Sequence, residues 1–462
     1  MRTSDRLYST FSIFAFILLI LTVSCAEDHG LMYESLENYA NEIKVIDTHE
    51  HQRWCEENAS LNYNLSHLIQ SAYLMADVVS AGGTRIASEQ MDSMAMDEFW
   101  EINGQALDYT RNTSYYSHFI AGFQKLYDFQ DLYFTASNIK GLSSRVEANY
   151  ADYSKWFDEA FHTAGFELMF LDQYWNPFNL QVDEMHYALV FNINLLVMQS
   201  SSKPNGDEEG PEIYQLASDE GMQIESLDDY LRYCDHLFRK NVESRAVCVK
   251  NSMAYSRSLD FEEVNYEVAR ELFKKPSSSL SEKEAKMIQD FMFHWIIQKS
   301  IENDLPVQIH TGYLAGNGNQ LDNGQPVKLN NLFLLYPGAK FVLFHGGYPW
   351  TGEYAAFGKM FANVYLDLVW LPQISREEAV HALDEMLDAV PYNKFFWGGD
   401  CAYIEESTGS LEFGKSVVTE VLAKRIERGL LTDEVARDII LKIFRENAIQ
   451  VFALENRLER PF

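Results

Sequence analysis

The stretch Val45–Trp54, VIDTHEHQRW, sets His49 and His51 one residue apart at the end of a short apolar run. In an extended strand, residues i and i+2 share one face about 6.5–7 Å apart. Two imidazoles so placed can reach a single ion, although the pair taken alone reads more simply as a core or cap histidine beside a solvated one. Later apolar runs close on residues of the same kinds. RAVCVK ends at Lys250, LPVQIH at His310, KFVLFH at His345 and KFFWGGD at Asp400. Imidazole nitrogen and carboxylate oxygen are zinc donors, and a catalytic site leaves one position open for water. A divalent ion lowers the pKa of that water toward about 7. Asp400 is the type of residue that holds such a water and accepts its proton as general base. A lone H-x-H is a weak signal, but this ordered set is a fairly strong one.

These residues converge only if the runs are strands of one sheet. Eight runs read as strands: 42–49, 166–172, 188–197, 245–250, 305–310, 340–345, 363–370 and 394–400. In the second half they alternate with helical stretches such as NNLFLLYP and SREEAVHALDEMLDAV, at the spacing of about 25–35 residues typical of βα units. Parallel strands need such crossovers. The gap after the first run is the largest, and residues 72–164 carry helical periodicity with many aromatics, which predicts a helical insertion that covers the site. Periodicity alone leaves a (β/α)8 TIM barrel and a doubly wound sheet both open. In a barrel the C-terminal strand ends meet at one mouth, where active sites of that fold lie.

With these segments in view, the chain from about Val45 to Leu454 resembles the amidohydrolase superfamily, metal-dependent hydrolases on a (β/α)8 barrel. IDTHEH, VQIHTG, LFHGGYP and WGGD carry the likeness. It is similar above all to the branch holding the amidohydrolase-like domain fused to glutamine synthetase in fungi, with aromatic-acid decarboxylases and uronate isomerases more distant. The resemblance implies that His49, His51, His310 and Asp400 bind or act with metal, and that His345 is a ligand of a second metal or polarises the substrate carbonyl. Lys250 divides two readings: a carboxylated lysine bridging two ions, or an ammonium gripping a substrate carboxylate beside Arg257. Tyr255, Arg257 and Tyr313 are the expected substrate contacts. Zinc is the first expectation and manganese the second, as one or two ions. The implied reaction is hydrolysis of an amide, lactone or ester by metal-activated water. Decarboxylation or isomerisation of a carboxylic acid on the same barrel is the alternative, and a non-catalytic surface binding protein the third reading.

Composition bounds the partners. A formal charge of −31 over 462 residues excludes nucleic acid, which leaves a small-molecule substrate. Arg2 and Arg6 precede the apolar run FSIFAFILLILTVSC, so residues 1–25 read as a signal peptide, of lipoprotein type if Cys25 is lipidated. That reading predicts an exported protein on the periplasmic or cell-surface side of a bacterial membrane, anchored by lipid, with residues 26–462 forming the barrel. Cys55, Cys234, Cys248 and Cys401 are scattered, with no C-x-x-C spacing, and suggest isolated thiols. A homo-oligomer stays open.

Overall fold

Each of the eight apolar runs forms a strand, and together they form one parallel sheet in the order β1 to β8. The strands are β1 (Val45–Glu50), β2 (Phe166–Leu171), β3 (Tyr187–Asn192), β4 (Cys248–Asn251), β5 (Val307–Ile309), β6 (Phe341–Leu343), β7 (Val364–Asp367) and β8 (Phe395–Phe396). The ring closes through the chain that follows β8: Thr48 N donates to Trp397 O at 3.3 Å, Asp400 N to His49 O at 2.7 Å and His51 N to Cys401 O at 2.9 Å. The architecture is the (β/α)8 barrel. This computed structural model describes residues 31–52, 62–91, 93–204 and 210–458. The expected signal peptide and Cys25 lie outside the described residues, as does Cys55. Among the described residues no helix is long and apolar enough to cross a membrane, and Cys234, Cys248 and Cys401 are buried free thiols.

Two expected strands are shorter than their apolar runs. The third ends at Asn192, and Asn194–Met198 is helical. The Asn192 side chain accepts from Asn194 N at 3.1 Å, a local turn that ends the ladder before Val197. The eighth is two residues long because the following segment is tied to β1 and turned at Asp400, whose φ is +61°. The β2 to β3 connection, residues 172–186, carries no helix.

The insertion is helical from Leu65, where Asn64 forms a capping box, to Ala164, where Gly165 at φ +93° ends the last helix. It therefore begins earlier than the expected residue 72. It docks on the barrel through the helices Ser114–Tyr127 and Ile404–Glu427. Gly122 and Gly409 face each other there: a Cβ on Gly122 would lie 1.9 Å from Glu405 O, and one on Gly409 would lie 1.9 Å from His118 O. Beside this contact the buried Glu405 carboxylate accepts from Tyr127 Oη at 2.6 Å, Tyr150 Oη at 2.8 Å and Trp156 Nε1 at 2.9 Å. Three insertion helices thus share one barrel carboxylate, and insertion and barrel share one apolar core.

Overpacking a close contact of this kind costs about 1–3 kcal/mol. Gly122→Ala is accordingly expected to lower the denaturation midpoint. Gly141→Ala, on an open helical surface, is expected to be neutral or to gain about 0.5–1 kcal/mol from the lost chain entropy of glycine. Equal midpoints for the two variants in urea would contradict the docking contact.

Candidate metal centre

The mouth of the barrel gathers the run-terminal residues. His49 lies in β1 and His51 directly after it, with ring centroids 4.6 Å apart, edge to face. Lys250 sits in β4, His310 directly after β5, His345 just past β6, and Asp400 in the turn beyond β8. Asp400 Oδ1 is 3.0 Å from His51 Nε2 and 3.5 Å from His49 Nε2, and its Oδ2 is 3.8 Å from His345 Nε2. One ligand atom from each of His49, His51 and Asp400 lies within 4.8 Å of the others.

Backbone carbonyls fix the tautomers. His51 Nδ1 faces Asp172 O at 3.0 Å, His310 Nε2 faces Tyr313 O at 2.8 Å and His345 Nδ1 faces Val369 O at 3.1 Å. A carbonyl only accepts, so each of these nitrogens carries the proton. On His310 and His345, which burial holds neutral, the remaining nitrogens bear lone pairs. His310 Nδ1 and His345 Nε2 then face each other at 2.9 Å with no proton between them. Two ligand nitrogens bound at right angles about 2.0–2.1 Å from one ion lie about 3 Å apart. His49 Nε2 is 2.9 Å from Lys250 Nζ, and His49 Nδ1 is buried with no hydrogen-bond partner. The donor set therefore fits a divalent cation.

Electrostatics agree with this geometry. Burial, reinforced by Lys250, holds His49 well below the ordinary histidine range. Burial and His310 do the same to His345, and burial with Lys250 lowers His310 to about 3. His51 is raised by the Asp400 carboxylate even though burial opposes it. Burial also lowers Lys250, whose Nζ lies 4.2 Å from the centre of the Phe344 ring. Among the described residues no carboxylate stands within ion-pair distance of Lys250.

A layer of acids behind the mouth aims these groups. Asp47 Oδ1 accepts from His49 N and Gly399 N, each at 3.0 Å, and Glu50 Oε2 accepts from Cys401 N at 2.8 Å. Burial raises Asp47 and Glu50, and it raises Asp367, which accepts from Thr48 Oγ1 at 2.6 Å, to about 7. His345, Trp370 and Asp400 hold φ of +65°, +63° and +61°. For residues other than glycine this costs roughly 1–3 kcal/mol each, and such strain gathers at functional sites.

A cavity of about 480 Å³ opens on His51, Lys250, His310 and Asp400. Tyr255 lines it, and its hydroxyl accepts from Ala315 N at 2.9 Å. Tyr313 serves differently from the expected substrate contact: its carbonyl fixes His310 and its ring packs on Trp370 with centroids 5.7 Å apart. Arg257 corrects the expectation outright. Its guanidinium turns away to pair with buried Asp290 at 2.6 Å, also bonds Gln289 and stacks on Phe261, so it does not grip a substrate beside Lys250. Sequence reasoning missed Tyr73, Asn192 and Glu406 in the cavity wall. Tyr73 Oη donates to Asp400 O at 2.6 Å and its N to Glu406 at 2.9 Å, which brings the insertion into the site as expected of a cover. Asn192 lies inside its apolar run and becomes a strand end only because the strand stops there. Tyr73 and Glu406 carry no local signal.

Residues 289–454 match the amidohydrolase family model, and His310, His345 and Asp400 fall inside that match. The amidohydrolase resemblance holds. Over 162 residues, 34% of this chain, the sequence is 30% identical to the protein fluG of Emericella nidulans, and the match takes in 18% of that relative's length. Among solved structures, the glucuronate isomerase of Caulobacter crescentus superposes with a TM-score of 0.73 at 14% identity, covering 94% of this chain and 95% of that one. A Lactobacillus casei protein described as a metal-dependent hydrolase gives 0.64 at 16% identity, covering 92% and 99%. At these identities the shared feature is the barrel.

A Cβ on Gly399 would lie 2.1 Å from Glu50 Oε1 and 3.0 Å from Asp47 Oδ2. Gly399→Ala is expected to displace the neighbouring Asp400 and weaken zinc retention by about 10–100-fold, the usual cost of losing a supporting contact at a metal ligand. Titration with a chromophoric chelator reads this directly. Unchanged affinity in a folded variant would show that the acids behind the mouth do not aim Asp400.

Proposed function

We propose that the protein is a metal-dependent hydrolase that cleaves a C–N or C–O bond of a small amide, lactone or ester. The observation that carries this reading is the pair of lone pairs facing each other on His310 and His345 beside Asp400, with His310 and Asp400 lining the cavity. Nothing in an apolar core gains from that arrangement, whereas a cation between the nitrogens resolves it. His49, His51, His310 and Asp400 are the residues that would hold the ion, with His345 completing the set. A bound divalent ion supplies a more acidic water and polarises a substrate carbonyl.

The chain's own groups account for the remaining steps. Asp400 accepts the proton of the attacking water at Oδ1 or Oδ2 and passes it to the leaving nitrogen or oxygen. His345, neutral and fixed by Val369 O, turns its Nε2 toward His310 and Asp400. Tyr255, Asn192 and Tyr73 supply polar edges in the wall for orienting the substrate. Export and a lipid anchor at Cys25 belong to this proposal, supported by the basic and apolar run that precedes it.

A second reading, decarboxylation or isomerisation of a carboxylic acid, has one observation in its favour. Lys250 is a buried nitrogen in the cavity wall that a substrate carboxylate would keep protonated. Carboxylation of Lys250 by CO2 instead uses the amine that burial favours, and native mass spectrometry detects it as an added mass lost on acidification.

A panel of N-acyl amino acids, lactones and esters, alongside uronates and aromatic acids, assayed with Zn²⁺ or Mn²⁺, separates these readings. The hydrolase reading expects turnover of a member of the first group. It also expects Asp400→Asn to lower kcat by about 10²–10⁴-fold, the usual contribution of a general base. Turnover confined to the acids, or an Asp400→Asn variant with full activity, would overturn it.

A further inference from the structure

Away from the cavity, the last helix of the insertion meets the chain that enters β3. Asp158 and His162 stand one turn apart on the helix Tyr153–Ala164 and so share a face. His186 immediately precedes β3. His186 Nε2 is 3.1 Å from Asp158 Oδ1; His162 Nδ1 is 3.4 Å from the same oxygen and donates to Asp158 O at 2.8 Å, which leaves the lone pair on its Nε2. One ligand atom from each of the three residues lies within 4.8 Å of the others. In a tetrahedral zinc site with bonds of about 2.0–2.2 Å, neighbouring ligand atoms stand about 3.3–3.6 Å apart. The His186–Asp158 spacing is close to this, and the exposed His162 ring would turn to present its Nε2 to the ion.

Two independent features prepare His186 for this role. Its Nδ1 lies 2.6 Å from Asp183 Oδ2, the carboxylate behind a ligating imidazole that fixes tautomer and orientation in metal sites. Its ring is wedged edge-on between Phe157 and Phe161, with centroids 5.3 Å and 4.8 Å away. Outward, His162 and Asp158 are 60% and 51% exposed, which leaves an entry path and room for a water as fourth ligand. Two carboxylates against two imidazoles give the cluster a negative charge when the histidines are neutral.

We infer that Asp158, His162 and His186 form a second divalent-metal site of zinc type, separate from the barrel mouth, with Asp183 supporting His186. Its place in the fold suits a clasp. The β2 to β3 connection has no helix of its own, and the ion would fasten the insertion's last helix to the entry of β3 where that helix is missing. Nothing in this inference depends on the reaction at the mouth.

The test uses the full chain carrying His49→Ala and His51→Ala, so that the mouth no longer competes, stripped with chelator and dialysed against micromolar Zn²⁺. Elemental analysis is expected to show one zinc more in this protein than in the same protein carrying His162→Ala. Asp183→Asn is expected to weaken that zinc about 10–100-fold. Zinc should also raise the melting temperature, and His162→Ala should abolish the rise. His162 is exposed, so the variant is expected to fold, which circular dichroism checks. Equal zinc in the two proteins, or none in either, would overturn the site and leave a hydrogen-bonded ion pair in its place.

Discussion

The mouth of this barrel depends on one constraint: imidazoles buried away from water stay neutral, and neutral imidazoles cannot satisfy one another. Each of His51, His310 and His345 commits one nitrogen to a backbone carbonyl, which turns the other into the mouth, and on His310 and His345 that other nitrogen is a lone pair. Protonation would relieve the clash between His310 and His345, but burial forbids it. A cation is the remaining remedy. The single carboxylate among these histidines, Asp400, gives such a cation a counter-charge.

The rest of the structure holds that arrangement against its own strain. Positive φ at His345, Trp370 and Asp400 is tolerated because the chain around each is fastened. Asp47 holds His49 and Gly399 together, Glu50 holds Cys401, and the chain after β8 is bonded along β1. The insertion adds a further brace. Its glycine contact and the three donors on Glu405 fasten it to the barrel, and its Tyr73, tied to Glu406, holds the carbonyl of Asp400. Packing far from the mouth thus fixes the backbone of the proposed general base.

Much of this was legible in the sequence because strands carry their chemistry at their ends. The i, i+2 spacing of His49 and His51 and the run-final positions of Lys250, His310, His345 and Asp400 placed six side chains at one mouth before any coordinates. Extrapolation failed where short-range chemistry intervened. The third run looked like a strand to Val197, but the Asn192 side chain accepts from Asn194 N and turns the chain there. Arg257 is close to Lys250 in sequence, yet the turn Met253–Tyr255 redirects the chain and Asp290, on the helix Glu282–Glu302, takes the guanidinium. Tyr73 and Glu406 were invisible because only the docking of two helices, distant in sequence, brings them to the cavity.

The most direct test of the central claim is the metal content of the purified protein, measured beside its His49→Ala, His51→Ala variant. The account predicts zinc or manganese in the parent and at least one equivalent less in the folded variant. Identical content in the two proteins, including after incubation with Zn²⁺ or Mn²⁺, would contradict a metal centre at the barrel mouth.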